Sequence, residues 1–133
     1  MTYRIVPRTE IGLPATVTNS DGSPRAALHD ERWVTYHYTG VSSRSYLTAD
    51  VAREVLRIQQ AFATSKPFEY NYVIGQTEDD SIYEFAGLFA AAHSSGENLD
   101  AFGILFLNAV GEPLTVTQIR KAQWLRDVLR YTG

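Results

Sequence analysis

The sequence predicts an α/β fold, a mixed central β-sheet covered by helices, and three observations carry that expectation. Trp33 to Tyr38, Tyr70 to Gly75 and Phe102 to Asn108 are rich in aromatic and β-branched residues, as strands are. Two stretches, one opening at Thr48 and one after Thr115, repeat apolar residues at helical spacing. Strand-like and helix-like segments alternate along the chain, so helices must pack on a sheet rather than on each other.

Residues 1–32 show weak periodicity and many turn formers: Pro7, Gly12, Pro14, Asp21-Gly22 and Pro24. They read as an extended arm that Ile5, Val6, Ile11 and Leu13 pin to the core. In Trp33 to Tyr38, the residues Trp33, Thr35 and His37 share one face, and Val34, Tyr36 and Tyr38 the other. Both faces look covered. Thr48 and Asp50 mark a helix start, with Val51, Val55, Ile58 and Phe62 on one stripe and an end before Pro67. Tyr70 to Gly75 and Ser81 to Phe85 flank the turn Glu78-Asp79-Asp80 and read as an antiparallel hairpin, the acids solvated. Consecutive acids point in different directions, which argues against a metal cluster there.

Phe102 to Asn108 is almost unbroken in its apolar character, which suits a strand buried on both faces at the sheet centre. Thr115 and Gln118 have the spacing of a capping box. In the helix that follows, Ile119, Ala122, Leu125 and Leu129 lie to one side, with Trp124 and Val128 widening the arc. Arg53, Arg57, Arg120, Arg126 and Arg130 fall on what should be exposed helix faces.

At 133 residues and 44% hydrophobic, the chain is sized for one domain, 1–133, with a core that needs neither disulfides nor structural metal. The net charge of -3 argues against attraction to a nucleic-acid polymer. No stretch approaches a membrane span, and the N-terminus lacks the apolar run of a signal peptide, so synthesis in the cytoplasm is the default. Some phage lytic proteins nonetheless reach the wall without a signal. With no cysteine, no thiolate enters any mechanism.

Five segments in order, His37-Tyr38-Thr39, Tyr70 to Gly75, Ser81 to Glu84, Ala92 to Asn98 and Phe102 to Leu107, resemble successive motifs of the zinc-dependent N-acetylmuramoyl-L-alanine amidases. That superfamily includes the T7-lysozyme-like phage endolysins and the peptidoglycan recognition proteins. The resemblance runs from about Trp33 to Leu129. It implies an amidase-like fold and a peptidoglycan fragment as partner. In such enzymes a zinc ion held by two histidines and a thiolate or carboxylate keeps one position open, acidifies a bound water and polarises the scissile carbonyl. By the resemblance, His37 stands where the first zinc histidine lies. Tyr70 stands at the catalytic position of a tyrosine that helps orient water or oxyanion. His93 matches a cleft histidine, and Asn98 shapes the adjoining loop.

The resemblance also has a gap. The family's second zinc histidine and third ligand follow its last helix, and no counterpart precedes Gly133. One imidazole cannot grip zinc tightly, since a catalytic site takes three protein ligands. His37 is therefore a metal ligand only if the site is completed from elsewhere. Two expectations follow: a piece of a longer amidase, or a short relative that keeps the groove and has given up hydrolysis. The second would bind or sequester a muropeptide or another polar small molecule; a phage protein capturing a host signal is one form of it, without motif support.

Each residue also has a structural reading. His37 could be a hydrogen-bonded strand histidine. Tyr70 and Tyr72 could simply pack with satisfied hydroxyls. Asn98 could brace its own loop. His93 sits in a run of small residues, Ala90 to Gly96, where packing does not explain an imidazole, so a ligand-facing role is favoured. Losing a family element after the last helix would expose a sheet edge or apolar patch, which leads to the expectation of a homodimer.

Overall fold

The computed structural model describes residues 2–19, 21–27, 33–61, 69–89 and 101–130. Its strands are β1 (Arg4–Val6), β2 (Trp33–Tyr38), β3 (Tyr72–Ile74), β4 (Ser81–Glu84) and β5 (Ala101–Phe106). Its helices are α1 (Thr48–Ala61) and α2 (Val116–Arg130), and a 3₁₀ turn spans Arg8–Ile11. The five strands form one mixed sheet in the order β1-β4-β3-β5-β2. β2, β5 and β3 run parallel, β4 is antiparallel to β3, and β1 is parallel to β4. The expected α/β architecture and the expected hairpin are both present.

Parallel strands put their C-terminal ends on one rim, where open sheets bind ligands. Here Tyr38 and Ile74 both register with Phe106, so the segments after β2, β3 and β5 leave from that rim together. Period-two alternation divides the core between two faces. On one, Tyr72, Ile74, Ile82, Ile104 and Phe106 meet Ala122, Leu125 and Leu129 of α2. On the other, Val73, Tyr83 and Leu105 meet Val51, Val55 and Ile58 of α1. The α1 stripe is as expected as far as Ile58; Phe62 lies outside the described residues.

α1 begins where the Asp50 carboxylate accepts the Leu47 amide at 2.8 Å. α2 begins with the expected capping box: Gln118 N donates to Thr115 Oγ1 at 3.0 Å, and Thr115 N donates to Gln118 Oε1 at 3.0 Å. At Gly75, between β3 and its turn, a Cβ would lie 2.8 Å from Val51 Cγ2, so glycine is what lets α1 approach the sheet.

Several expectations are corrected. The opening residues are more than an arm: Arg4–Val6 is a strand of the sheet, and Val6 and Leu13 are buried as its anchors. β2 is not covered on both faces. Among the described residues it is an end strand, flanked by β5, and Tyr36 and Tyr38 are 47% and 55% exposed. β5 is buried throughout Phe102 to Phe106 but lies beside the centre, which β3 occupies. Ile119 is 43% exposed; the buried side of α2 runs instead through Gln118, Lys121, Ala122, Leu125 and Leu129. A helical period allows either register, and polar partners decided it: Gln118 Nε2 donates to Asn108 Oδ1 at 2.7 Å, and Lys121 reaches Asp79. Asp79 is thus a partner of α2 rather than one of three solvated acids. Arg53, Arg57, Arg120 and Arg126 are exposed as expected.

Candidate functional site

The site is built on the α1 face of the sheet, at the rim end of β2. Register with Leu105 turns His37 toward α1, and its ring centroid lies 5.2 Å from that of Tyr70 at an interplanar angle of 57°. The imidazole is half-buried. The structure therefore brings two of the sequence-derived residues, His37 and Tyr70, into contact. His93 and Asn98, the other two, lie outside the described residues.

Tyr70 is held from its neighbour. The backbone carbonyl of Tyr70 accepts the Ala86 amide at 3.0 Å, and the next residue, Asn71, is fully buried. Asn71 Nδ2 donates to the carbonyls of Gly87 and Phe89, and its Oδ1 accepts the Gly103 amide at 2.7 Å. One side chain thus joins the segment leading into β3, the turn after β4 and the start of β5. Buried polar groups need such partners, and here both ends of the amide have them. Burial raises the Tyr70 phenol above its ordinary pKa, and the adjacent Glu69 charge adds to the effect. At neutral pH the phenol keeps its proton and can both donate and accept.

Beside Tyr70 lies a hollow of about 290 Å³ between β2 and α1. Leu105 forms its floor, Ile58 and Ala61 its α1 wall, and Thr39 and Val41 the side toward the rim. Arg57 and Glu69 also line it, which gives it both signs of charge. The Arg57 guanidinium is oriented by Glu54, Nη2 to Oε1 at 2.6 Å and Nε to Oε2 at 3.0 Å. Apolar walls with a few placed polar groups suit a small polar ligand with an apolar portion.

Sequence reasoning missed Arg57, Glu69 and the wall of the hollow. Arg57 reads as a solvated helix residue because it is one, being exposed, yet it stands next to the core residue Ile58 and so edges the hollow. The spacing of Ile58 and Ala61, one turn apart on α1, was the available signal.

For zinc, the donor set is the test. Among the described residues no group of three His, Cys, Asp or Glu side chains could hold a metal ion. A catalytic zinc at His37 would need two further protein donors. The described residues do not fit a catalytic zinc by themselves.

No protein-family model matches the chain, and no curated protein sequence does. Solved structures do. Bumblebee PGRP-SA, a peptidoglycan recognition protein, is 20% identical and superimposes with a TM-score of 0.81 over 98% of this chain and 77% of its own. Human PGRP-IBETAC, solved in complex with glycosamyl muramyl pentapeptide, is 26% identical with a TM-score of 0.74, over 97% of this chain and 76% of its own. PGRP-LE, solved with tracheal cytotoxin, a monomeric diaminopimelic acid-type peptidoglycan, is 22% identical with a TM-score of 0.78, over 97% of this chain and 75% of its own. The chain has the fold of the peptidoglycan recognition proteins, within the amidase-like superfamily that its ordered motifs resemble.

Proposed function

We propose that this chain is a peptidoglycan-related domain that binds a muropeptide in the hollow beside His37 and Tyr70. The observation that carries the reading is the contact of the His37 imidazole with Tyr70, which itself lines a hollow that offers both an arginine and a glutamate. A muropeptide presents carboxylates, amides and sugar hydroxyls, which that combination can meet. Two structures of the same fold were solved in complex with such ligands, a glycosamyl muramyl pentapeptide and a monomeric peptidoglycan. The phenol and imidazole would orient the ligand, and Ile58, Ala61 and Leu105 would take its apolar parts. His93 and Asn98 are proposed as further ligand-binding residues.

Binding is the primary reading and hydrolysis is conditional. Amide cleavage by His37 and Tyr70 would need a zinc whose remaining ligands come from outside the described residues. Titration calorimetry of the purified chain with muramyl dipeptide and muramyl pentapeptide tests the proposal. We expect saturable binding that Tyr70→Ala weakens roughly tenfold or more. Flat traces with both ligands would refute it. Stoichiometric zinc together with peptide release from muropeptides would replace binding by hydrolysis.

A further inference from the structure

Arg57 lines two hollows, and the muropeptide reading uses only one of them. The second, of about 610 Å³, runs along α1, where Ser45, Tyr46, Arg53, Glu54 and Gln60 line it together with Arg57. Its charged groups are already paired. Glu54 gives both oxygens to the Arg57 guanidinium, at 2.6 and 3.0 Å. Asp50 accepts Arg53 Nη1 at 3.0 Å with one oxygen and the Leu47 amide at 2.8 Å with the other. Both carboxylates are thus occupied from within, whereas each guanidinium keeps N–H groups that these pairs do not use. Two arginines set against one aspartate and one glutamate leave the hollow without net charge. Tyr46 is half-buried against the core beneath α1 and supplies an aromatic wall.

We propose that this hollow is a saccharide subsite for the neutral N-acetylated sugar of a glycan-linked muropeptide, with Arg57 standing between sugar and peptide. The inference rests on the muropeptide reading and extends it. Size is the first argument. Ligand pockets run from roughly 300 to 1,000 Å³, so the hollow beside Tyr70, at about 290 Å³, holds only part of such a ligand. The neighbouring hollow meets it at a shared side chain and has room for the remainder. Charge selects which part goes there. In a muropeptide the ionised groups belong to the peptide, and the N-acetylglucosamine joined to the muramyl unit is neutral. An incoming carboxylate or phosphate would compete with Glu54 and Asp50 for their arginines, whereas hydroxyl and acetamido oxygens need only the unused N–H groups. Sugar hydroxyls also require partners that both donate and accept, which the Ser45 hydroxyl and the Gln60 amide provide. The C–H face of a pyranose is apolar and packs on an aromatic ring such as that of Tyr46.

Titration calorimetry with two ligands tests the subsite: muramyl pentapeptide, and the same pentapeptide carrying N-acetylglucosamine on its muramyl sugar. We expect the second to bind roughly fivefold more tightly or better. Arg53→Ala should abolish that gain and leave the affinity for muramyl pentapeptide unchanged, because Arg53 lines the second hollow and not the first. Gln60→Ala, at another exposed position, should reduce the gain and guards against a folding defect in the first variant. Equal affinities for the two ligands overturn the subsite and leave the muropeptide reading standing. So does a gain that both variants preserve. Failure of the wild-type chain to bind either pentapeptide refutes the muropeptide reading, and the subsite falls with it.

Discussion

The ammonium of Lys121 is entirely withdrawn from solvent and lies 3.0 Å from the Asp79 carboxylate. It also donates to the Thr77 carbonyl at 3.3 Å. Asp79 in turn accepts hydrogen bonds from the Thr48 hydroxyl, at the start of α1, and from the Ser81 amide, at the start of β4. One carboxylate therefore ties both helices to the β3–β4 turn, on the rim where β2 also ends.

Removing one partner of a buried charge pair leaves the other charge without compensation. Asp79→Ala should lower unfolding stability by about 3 kcal/mol, because Lys121 stays buried. Lys121→Met should cost less, since Asp79 is partly exposed and keeps Thr48, Thr77 and Ser81. The double variant should be markedly more stable than the sum of the single losses implies. Urea unfolding of all four proteins checks this; additive losses would mean the pair is not coupled.

The same carboxylate sets an acid response. Burial pushes its pKa up, but the hydrogen bonds from Thr48, Lys121 and the Ser81 amide outweigh burial and hold it below the ordinary aspartate value. A folded-state pKa below the unfolded one contributes stability that is present above the unfolded pKa, about 4, and lost as pH falls through the folded pKa. Wild type should lose more stability than Asp79→Asn between neutral pH and acid below about pH 4. Parallel pH titrations of the melting temperature would disprove the assignment if the two curves ran together.

Asn71 is the second joint. Asn71→Ala removes two carbonyl contacts and strands the Gly103 amide in a buried position, a loss of about 3 kcal/mol. Hydrogen exchange should speed up at Gly103 and through Phe85 to Gly87, whose amides bond within this network or beside it. Unchanged exchange at those amides would show that the side chain is dispensable.

Gly75 and Val51 make a steric pair. Gly75→Ala places a methyl within 2.8 Å of a fully buried, β-branched side chain that has little freedom to move. We expect a loss of about 1–3 kcal/mol from overpacking. Val51→Ala alone should also destabilise, by leaving a cavity, and adding Gly75→Ala to it should recover part of that loss. Thermal unfolding of the three variants gives the answer, and no recovery in the double variant would refute the pairing.

What could be read in the sequence was what local pattern encodes. β2, the α1 stripe, the hairpin and the Thr115–Gln118 box all follow from spacing and residue type, and all appear. The register of α2 was not legible, because Gln118 and Lys121 are buried by partners, Asn108 and Asp79, that lie 10 and 42 residues away. Nor was the exposure of β2 legible, since Tyr36 and Tyr38 look the same in an end strand as in an interior one. His37 and Tyr70 were singled out by motif, and their contact spans β2 and the approach to β3, a distance that periodicity cannot measure. The polar wall of the hollow escaped because an exposed helical arginine has no signature of its own.

The guanidinium of Arg8 is buried against the carbonyls of Phe85 and Ala86, and its Nη1 pairs with Glu84 at 3.2 Å. Phe85 is 77 positions further along the chain, and β1 just before Arg8 pairs with β4 over a similar span. Closing so long a loop is entropically costly, so β1 and Arg8 gain these partners only once residues 81–86 are in place. The β1–Arg8 segment is consequently the closing latch of assembly. A stopped-flow probe placed there should report native contacts after one placed in the hairpin.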